Sequence, residues 1–129
     1  MNSTKTEVFY TTDHDWIEFQ GSVAYVGVCS FKLTGFRQIQ EIVFNDLTRE
    51  LKQGDCIASI RYNDYRIEAR MPVDGKVIQV NDKYLSGSFN ALREDAEGDG
   101  WLCLIALSSP ENRQGLIPPD QYKFRIREN

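Results

Sequence analysis

Short apolar runs separated by turn signals follow one another along most of the chain. Residues 15–19, 23–28 and 41–47 are rich in β-branched and aromatic side chains, and residues 76–80 and 101–107 continue the series. Short runs of this composition, bounded by Gly, Pro, Asn or Asp, are typical of β-strands. The pattern predicts a mainly β fold of the sandwich or barrel class, with a strand about every ten residues.

Only short helices are predicted between these strands. Residues 31–40 are predicted to be irregular or helical, because apolar side chains recur there at about every third position. Residues 88–96 are a second helical candidate. A third begins with Ser109 as N-cap and Pro110 at the first helical position, which proline favours. A polar tail is predicted from Asp120 onward.

Residues 56–71 are predicted to form a β-hairpin around the two-residue turn Asn63-Asp64. Both residue types tolerate the left-handed backbone that a type I′ turn requires. Counting outward from the turn separates an apolar face from a mostly polar one, as a half-buried hairpin needs. The apolar face pairs Tyr62 with Tyr65, Ile60 with Ile67 and Ala58 with Ala69. The polar face pairs Arg61 with Arg66, Ser59 with Glu68 and Ile57 with Arg70.

The residues next to the turn are the candidate interaction surface. Like charges directly opposite each other destabilise a sheet, so we expect Glu68 and Asp64 to offset the pairing of Arg61 with Arg66. The polar face is interpreted as solvated, or alternatively as a small basic spot that binds an acidic partner or an anionic ligand. Tyr62 and Tyr65 form either a cross-strand aromatic pair or an exposed recognition spot.

Composition and charge narrow the function classes. The 129 residues are 41% hydrophobic and 26% charged, which suits one globular domain. Fifteen Lys and Arg against nineteen Asp and Glu give a net charge of −4, which disfavours binding to nucleic acid. Residues 1–7 lack an apolar signal core, and no apolar run is long enough to cross a membrane. We therefore expect a cytoplasmic protein with no membrane contact.

Cysteine and histidine offer no metal or catalytic motif in this sequence. The single histidine, His14, and three widely spaced cysteines are too few and too scattered for a zinc site. We expect three reduced, buried thiols, at Cys29, Cys56 and Cys103. His14 is interpreted as structural rather than as an acid or base, in a segment that resembles an edge strand beside Trp16. Trp16 and Trp101 are expected to pack in the core or in a groove.

Six short motifs occur in series between residues 9 and 110. They are YTTDHDW at 10–16, GSVAYVGV at 21–28, EIVFNDL at 41–47, MPVDGKV at 71–77, GDGWL at 98–102 and LSSP at 107–110. In the same order they resemble the Y-T-x-[DE]-H-[DE]-W, G-x-x-A-x-V-G-[IV], [DE]-I-V-F-V-x-L, A-P-V-S-G-x-V, G-x-G-W-[LM] and L-S-x-P motifs of glycine cleavage system H proteins. No single motif is specific, but six in series are.

The resemblance implies a β-sandwich of the lipoyl and biotinyl carrier type, a barrel-sandwich hybrid with short helices added. We expect a single H-protein-like domain over residues 1–129, with its core at about 9–110 and a short C-terminal helix and tail at 109–129. Proteins of this family are carriers and not enzymes. A lysine at a hairpin tip holds lipoate, which takes an aminomethyl group from the decarboxylase to the aminomethyltransferase and is reoxidised by a dehydrogenase.

The same resemblance puts Asp64 where the family has its lipoyl lysine. Counting from Gly54 and from Pro72 brings the lysine position to Asp64 without a gap. Arg61 takes the place of a family glutamate, Tyr62 of a serine and Tyr65 of an alanine. The connection at residues 31–40 is also longer than is usual in the family. Lys52 and Lys76 are the nearest lysines, and both belong to the far end of the hairpin.

Three functions are compatible with these residues. The first is an H-like, non-lipoylated binding or regulatory module, with no cofactor, that docks on glycine cleavage enzymes or lipoylating enzymes through the hairpin tip. The second is a working H protein whose lipoate is attached elsewhere, or whose tip is aligned differently. The third is a small enzyme on a sandwich scaffold, which no catalytic constellation supports. The tip residues are Arg61, Tyr62, Asn63, Asp64, Tyr65 and Arg66.

Overall fold

Two antiparallel sheets form the body of the computed structural model, which describes residues 7–127. The strands are β1 Glu7–Tyr10, β2 Asp15–Gln20, β3 Val23–Val28, β4 Glu41–Phe44, β5 Cys56–Tyr62, β6 Tyr65–Arg70, β7 Gly75–Val80 and β8 Cys103–Leu107. Most of the segment without a signal core, residues 1–6, lies outside the described residues, as do residues 128 and 129. No helix among the described residues is long and apolar enough to cross a membrane.

The sheets contain five and three strands. Their orders are β1-β2-β3-β8-β7 and β4-β5-β6. All the strands that the hydrophobic pattern predicts are present, although β4 ends at Phe44 and β8 begins only at Cys103. Strand β1 was not predicted. It pairs with β2, so that β2 lies inside the sheet and the prediction of an edge strand beside Trp16 is wrong.

Helical segments are short, as predicted. The segment predicted at 31–40 begins within a 3₁₀ helix, Ser30–Leu33, which turns follow, and the candidate at 88–96 becomes α2, Asn90–Glu94. Another one-turn helix, α1, spans Asp82–Leu85 and is capped by the side chain of Asn81.

The C-terminal prediction is wrong in its position. The residues after Ser109 form turns, and helix α3 spans Pro119–Arg127, where a polar tail was expected. Pro119 stands at the first helical position, where the absent N–H costs nothing. Tyr122 of this helix is buried, and its ring stacks on Tyr10 of β1 at 4.2 Å between ring centroids. The helix therefore depends on packing against the sheet.

Trp16 packs in a smaller apolar cluster with Cys29, Ile117 and Tyr122, separate from the main core, as expected for a packing residue. Its side chain is 2% exposed, and its Nε1–H donates a 2.9 Å hydrogen bond to the carbonyl of Ala96. The indole lies directly over Gly27, its cross-strand partner in β3. Trp101 is half-buried, with its ring edge against Tyr25 at 5.0 Å.

Substitution of Gly27 by alanine tests this contact. A Cβ atom at residue 27 would lie 2.8 Å from Nε1 of Trp16, so the indole or the strand has to shift. We expect the free energy of unfolding to fall by about 1–3 kcal/mol, measured by urea denaturation. Ser22→Ala in the neighbouring turn is the control and should cost less than about 0.5 kcal/mol. An equally small loss for Gly27→Ala would contradict the close packing.

Candidate functional site

The β5–β6 hairpin has the register that the sequence predicts, from the tip down to the fifth pair. The cross-strand pairs run from Tyr62–Tyr65 to Ala58–Ala69. The prediction that Ile57 faces Arg70 is wrong, because a bulge after Cys56 makes Cys56 the partner of Arg70. Ile57 is fully buried as a result. An extra residue in one strand reverses the face to which the next side chain points.

The turn itself differs from the predicted type I′ geometry. Only Asn63 has a positive φ, of 53°, whereas a type I′ turn requires positive φ at both central residues. Asp64 is exposed, and its side chain forms no hydrogen bond or ion pair with any residue of 7–127. The hairpin tip therefore presents a carboxylate to solvent.

Gln40 holds the tip in place from outside the hairpin. Its Oε1 accepts a 2.8 Å hydrogen bond from the backbone N–H of Asn63, and its Nε2 donates to Oδ1 of Asn63 at 3.3 Å. Its own N–H donates to the carbonyl of Arg61 at 2.9 Å. Gln40 ends the long connection at residues 31–40, so this segment makes the tip more rigid than a free two-residue turn.

The two tyrosines next to the turn have different environments. Tyr62 is half-buried and packs against Phe36, with 6.1 Å between ring centroids. Tyr65 touches the same ring at 6.4 Å but is 64% exposed. The aromatic contacts therefore include both strands of the hairpin and the connection, while the outer side of Tyr65 is available to a partner.

Neighbouring side chains, including one from a third strand, relieve the repulsion between Arg61 and Arg66. Nε of Arg61 lies 3.0 Å from a carboxylate oxygen of Glu41 in β4, a third strand. Arg66 donates to Oγ of Ser59 at 2.9 Å and lies 3.7 Å from Glu68. Glu68 offsets the Arg61–Arg66 pairing as predicted, but through Arg66 rather than Arg61, whereas Asp64 pairs with neither arginine among residues 7–127.

His14 has the structural role that was expected, although in a turn. Its φ is 66°, and its Nδ1 lies 2.8 Å from the hydroxyl of Tyr122. Its ring also packs against Phe31 at 4.6 Å. Burial, assisted by the nearby Lys32 ammonium, lowers the pKa of His14 below its usual value. His14 thus anchors helix α3 to the sheet.

The sequence did not single out Asp15, a buried carboxylate next to the hairpin. Its side chain is 1% exposed, its Oδ1 lies 2.8 Å from Nζ of Lys32, and its Oδ2 accepts a 3.3 Å hydrogen bond from the N–H of Arg70. Burial raises the pKa of Asp15 to about 6, outweighing the opposite effect of Lys32. The only signal in the sequence was a charged residue at the start of an apolar strand.

The cysteines are free thiols, and two of the three are buried as predicted. Cys29 and Cys103 are inaccessible, and burial raises the pKa of each to about 12. Cys56, at the bulge, is only half-buried, which corrects the prediction of three buried thiols. Thiols with such raised pKa values are poor nucleophiles at neutral pH.

The tip does not fit an attached lipoate. An acyl bond to lipoate needs an amine, and the tip offers the amide of Asn63 and the carboxylate of Asp64. Lys52 lies at the other end of the hairpin, where its Nζ is 3.6 Å from Glu50 and 4.0 Å from Asp74. Lys76 begins the solvent-exposed part of β7, also away from the tip.

Comparison with known proteins identifies similar sequences and a similar fold. The family model "Glycine cleavage H-protein" matches residues 8–129. The glycine cleavage system H protein of Salinibacter ruber is 31% identical over 122 residues, covering 92% of this chain and 95% of that protein. That of Alkaliphilus oremlandii is 29% identical over 119 residues, covering 92% of each.

A solved structure shares the architecture. The crystal structure of a glycine cleavage system H protein from Mycobacterium marinum superposes with a TM-score of 0.77 at 16% identity, covering 94% of this chain and 97% of that one. This likeness confirms the predicted fold, a mainly β sandwich of two antiparallel sheets with short helices.

The raised pKa of Asp15 predicts how stability depends on pH. Because the folded protein binds this proton more tightly than the unfolded chain, the contribution of Asp15 to stability is greatest near pH 4 and falls as the pH rises through about 6. The stability advantage of wild type over Asp15→Asn should therefore shrink by roughly 2 kcal/mol between pH 4 and pH 7.

Urea denaturation at a series of pH values measures this difference. Asp64→Asn, at an exposed aspartate whose side chain has no partner among residues 7–127, gives the background. A wild-type advantage that grows with rising pH would show that the Lys32 ion pair outweighs burial, contrary to the prediction.

Proposed function

Because this chain belongs to the glycine cleavage H-protein family, we propose that it is an H-protein-like binding or regulatory module that is not lipoylated. The observation that carries the proposal is the exposed carboxylate of Asp64 at the tip of a hairpin that Gln40 and Phe36 support. The family is one of carriers rather than catalysts, so no reaction is assigned to the chain. We propose a single domain that acts in the cytoplasm and carries no cofactor.

The intact scaffold supports a binding role for the tip. The hairpin keeps the register predicted from its pattern, and Gln40 and Phe36 hold it against the connection at residues 31–40. Exposed Tyr65 and the arginines beside it supply the residue types that are enriched at protein interfaces.

The proposed partners are glycine cleavage enzymes or lipoylating enzymes. The chain keeps the fold of an H protein. By the family resemblance Arg61, Tyr62, Asp64 and Tyr65 replace the residues of its tip, which has no acceptor for the group that these enzymes would transfer or attach. Binding without modification would make the chain a competitor or a regulator of these enzymes. The alternative is a working H protein with lipoate on another lysine, and it differs in one observable, the lipoyl mass.

Intact mass spectrometry after co-expression with a lipoate ligase tests the absence of lipoate. We expect the wild-type protein to show no lipoyl mass increment, because Asp64 has no amine to acylate. The double variant Asp64→Lys, Arg61→Glu restores the family residues at both positions and should be at least partly lipoylated.

Each outcome of this experiment has one meaning. A lipoyl increment on the wild type would overturn the proposal in favour of the alternative. An unmodified double variant, with its fold confirmed by circular dichroism, would contradict the placement of Asp64 at the lysine position. Lys76→Glu is a matched control and, like the wild type, should show no lipoyl mass increment.

Binding to purified glycine cleavage enzymes and lipoate ligase of the same organism tests the partner. We expect at least one of these proteins to bind the wild type, and the double variant Arg61→Ala, Tyr65→Ala to lower that affinity at least about tenfold by removing two anchors. Lys76→Glu, on the other sheet, should bind like wild type. Failure of every one of these proteins to bind would contradict the proposed partners.

A further inference from the structure

Strand β6 is an open edge of the three-stranded sheet. The N–H of Gln40 donates to the carbonyl of Arg61 at 2.9 Å, so the backbone of Arg61 is directed toward β4. Arg66 is opposite Arg61 in the ladder. In an antiparallel pair, the backbone N–H and C=O groups of two opposite residues either point toward each other or both point away. The backbone N–H and C=O of Arg66 therefore point away from β5.

The other end of β6 shows the same alternation. The N–H of Met71 donates to the carbonyl of Asp55 at 2.8 Å, toward the β5 side, whereas the N–H of Arg70 points outward to Asp15. Glu68, two residues before Arg70, is therefore also directed outward. Arg66 and Glu68 have no backbone partner among residues 7–127 outside the ladder. Such an edge can add a further strand.

The space beside this edge is free. A groove of about 500 Å³ runs along β6, lined by Asp13, Lys32, Arg66, Ile67, Glu68 and Arg70. At the far end of the groove, the N–H of Arg70 already donates a hydrogen bond to the carboxylate of Asp15. The groove therefore limits an added strand to a short pairing centred on Arg66 and Glu68.

Charges alternate along the outward face of this edge. Successive side chains of a strand point to opposite faces, so Arg66, Glu68 and Arg70 of β6 share one face in the order positive, negative, positive, and Asp64 precedes them in the turn. An antiparallel copy of the same strand, with its Glu68 opposite Arg66, places opposite charges in every pair. A shift of two residues in either direction would put Arg66 opposite Arg66, or Glu68 opposite Glu68.

Hydrogen-bond geometry permits this one complementary register. Arg66 and Glu68 both direct their backbone groups outward, so the pair of Arg66 with the partner's Glu68 and its symmetry mate form four main-chain hydrogen bonds. On the other face, Ile67 meets its own copy and Tyr65 lies opposite the partner's Ala69. At the ends, Asp64 lies opposite the partner's Arg70.

We propose that the occupant of this edge is a second copy of the chain, paired through β6 about a two-fold axis. The two three-stranded sheets then form one six-stranded sheet, and each copy covers the edge of the other. The pairing does not depend on the proposed function, because it requires neither lipoate nor its absence. The same register brings the carboxylate of Asp64, in the turn, toward the guanidinium of the partner's Arg70.

Sedimentation equilibrium over a range of concentrations tests the dimer. A short strand pairing buries little area, so we expect a reversible monomer–dimer equilibrium and not a permanent dimer. A protein that remains monomeric up to about 1 mM, where even small interfaces associate, would overturn the proposal.

Charge reversal tests the register. Arg66→Glu creates two pairs of opposed carboxylates, and Glu68→Arg creates two pairs of opposed guanidinium groups, so each variant should weaken dimerisation at least about tenfold. Mixed together, the two variants are complementary and should form a heterodimer. The double variant Arg66→Glu, Glu68→Arg should again form homodimers. Lys76→Glu is the control for net charge and should dimerise like wild type.

A backbone variant separates strand pairing from other charge effects. Glu68→Pro removes an outward N–H, which β5 does not use, together with the Glu68 carboxylate, and edge strands tolerate proline in such positions. Glu68→Ala removes the carboxylate alone, so it is the control and should dimerise more tightly than Glu68→Pro. We expect the proline variant to retain its circular dichroism spectrum and to lose at least about tenfold in dimer affinity. Dimers that persist in Glu68→Pro, or variants that do not form heterodimers, would overturn the proposal.

Discussion

The carboxylate of Asp15 joins three segments of the chain that also meet in the apolar core. It begins β2 in the five-stranded sheet, pairs with Lys32 of the 3₁₀ helix and accepts the N–H of Arg70 in the three-stranded sheet. A buried charge without such partners would cost several kcal/mol, so the three segments have to stay together. This anchor fixes the Arg70 end of β6 and with it one end of the groove beside the strand.

The β5–β6 hairpin is stabilised by contacts that do not depend on which side chain stands at position 64. Its apolar face packs on the core, and Gln40 and Phe36 support the turn from the preceding connection. A lysine would add nothing to these contacts, and the side chain of Asp64 makes none with the described residues. The proposed loss of lipoate attachment therefore requires no change of fold, since fold and function are separable.

Asp64 links the two proposals through its charge. A carboxylate at the tip offers no amine of the kind that a carrier needs, and it also adds a negative charge at the turn before the alternating charges of Arg66, Glu68 and Arg70 along the β6 edge. Edge charges commonly keep strands from pairing. Here their order is self-complementary, so the same residues that would repel an unrelated strand fit a second copy.

The sequence by itself determined which segments form strands β2 to β8 and the register of the β5–β6 hairpin near its tip. A pattern with a period of two has only one phase that turns Ile60, Ile67 and Ala69 toward the core. The sequence also placed Asp64 at the tip. Tertiary structure decided the bulge that buries Ile57, the pairing of Arg61 with Glu41, the clamp by Gln40 and the position of helix α3. Each of these depends on residues far apart in the chain, whose contacts arise only when the sheets pack and which local periodicity does not encode.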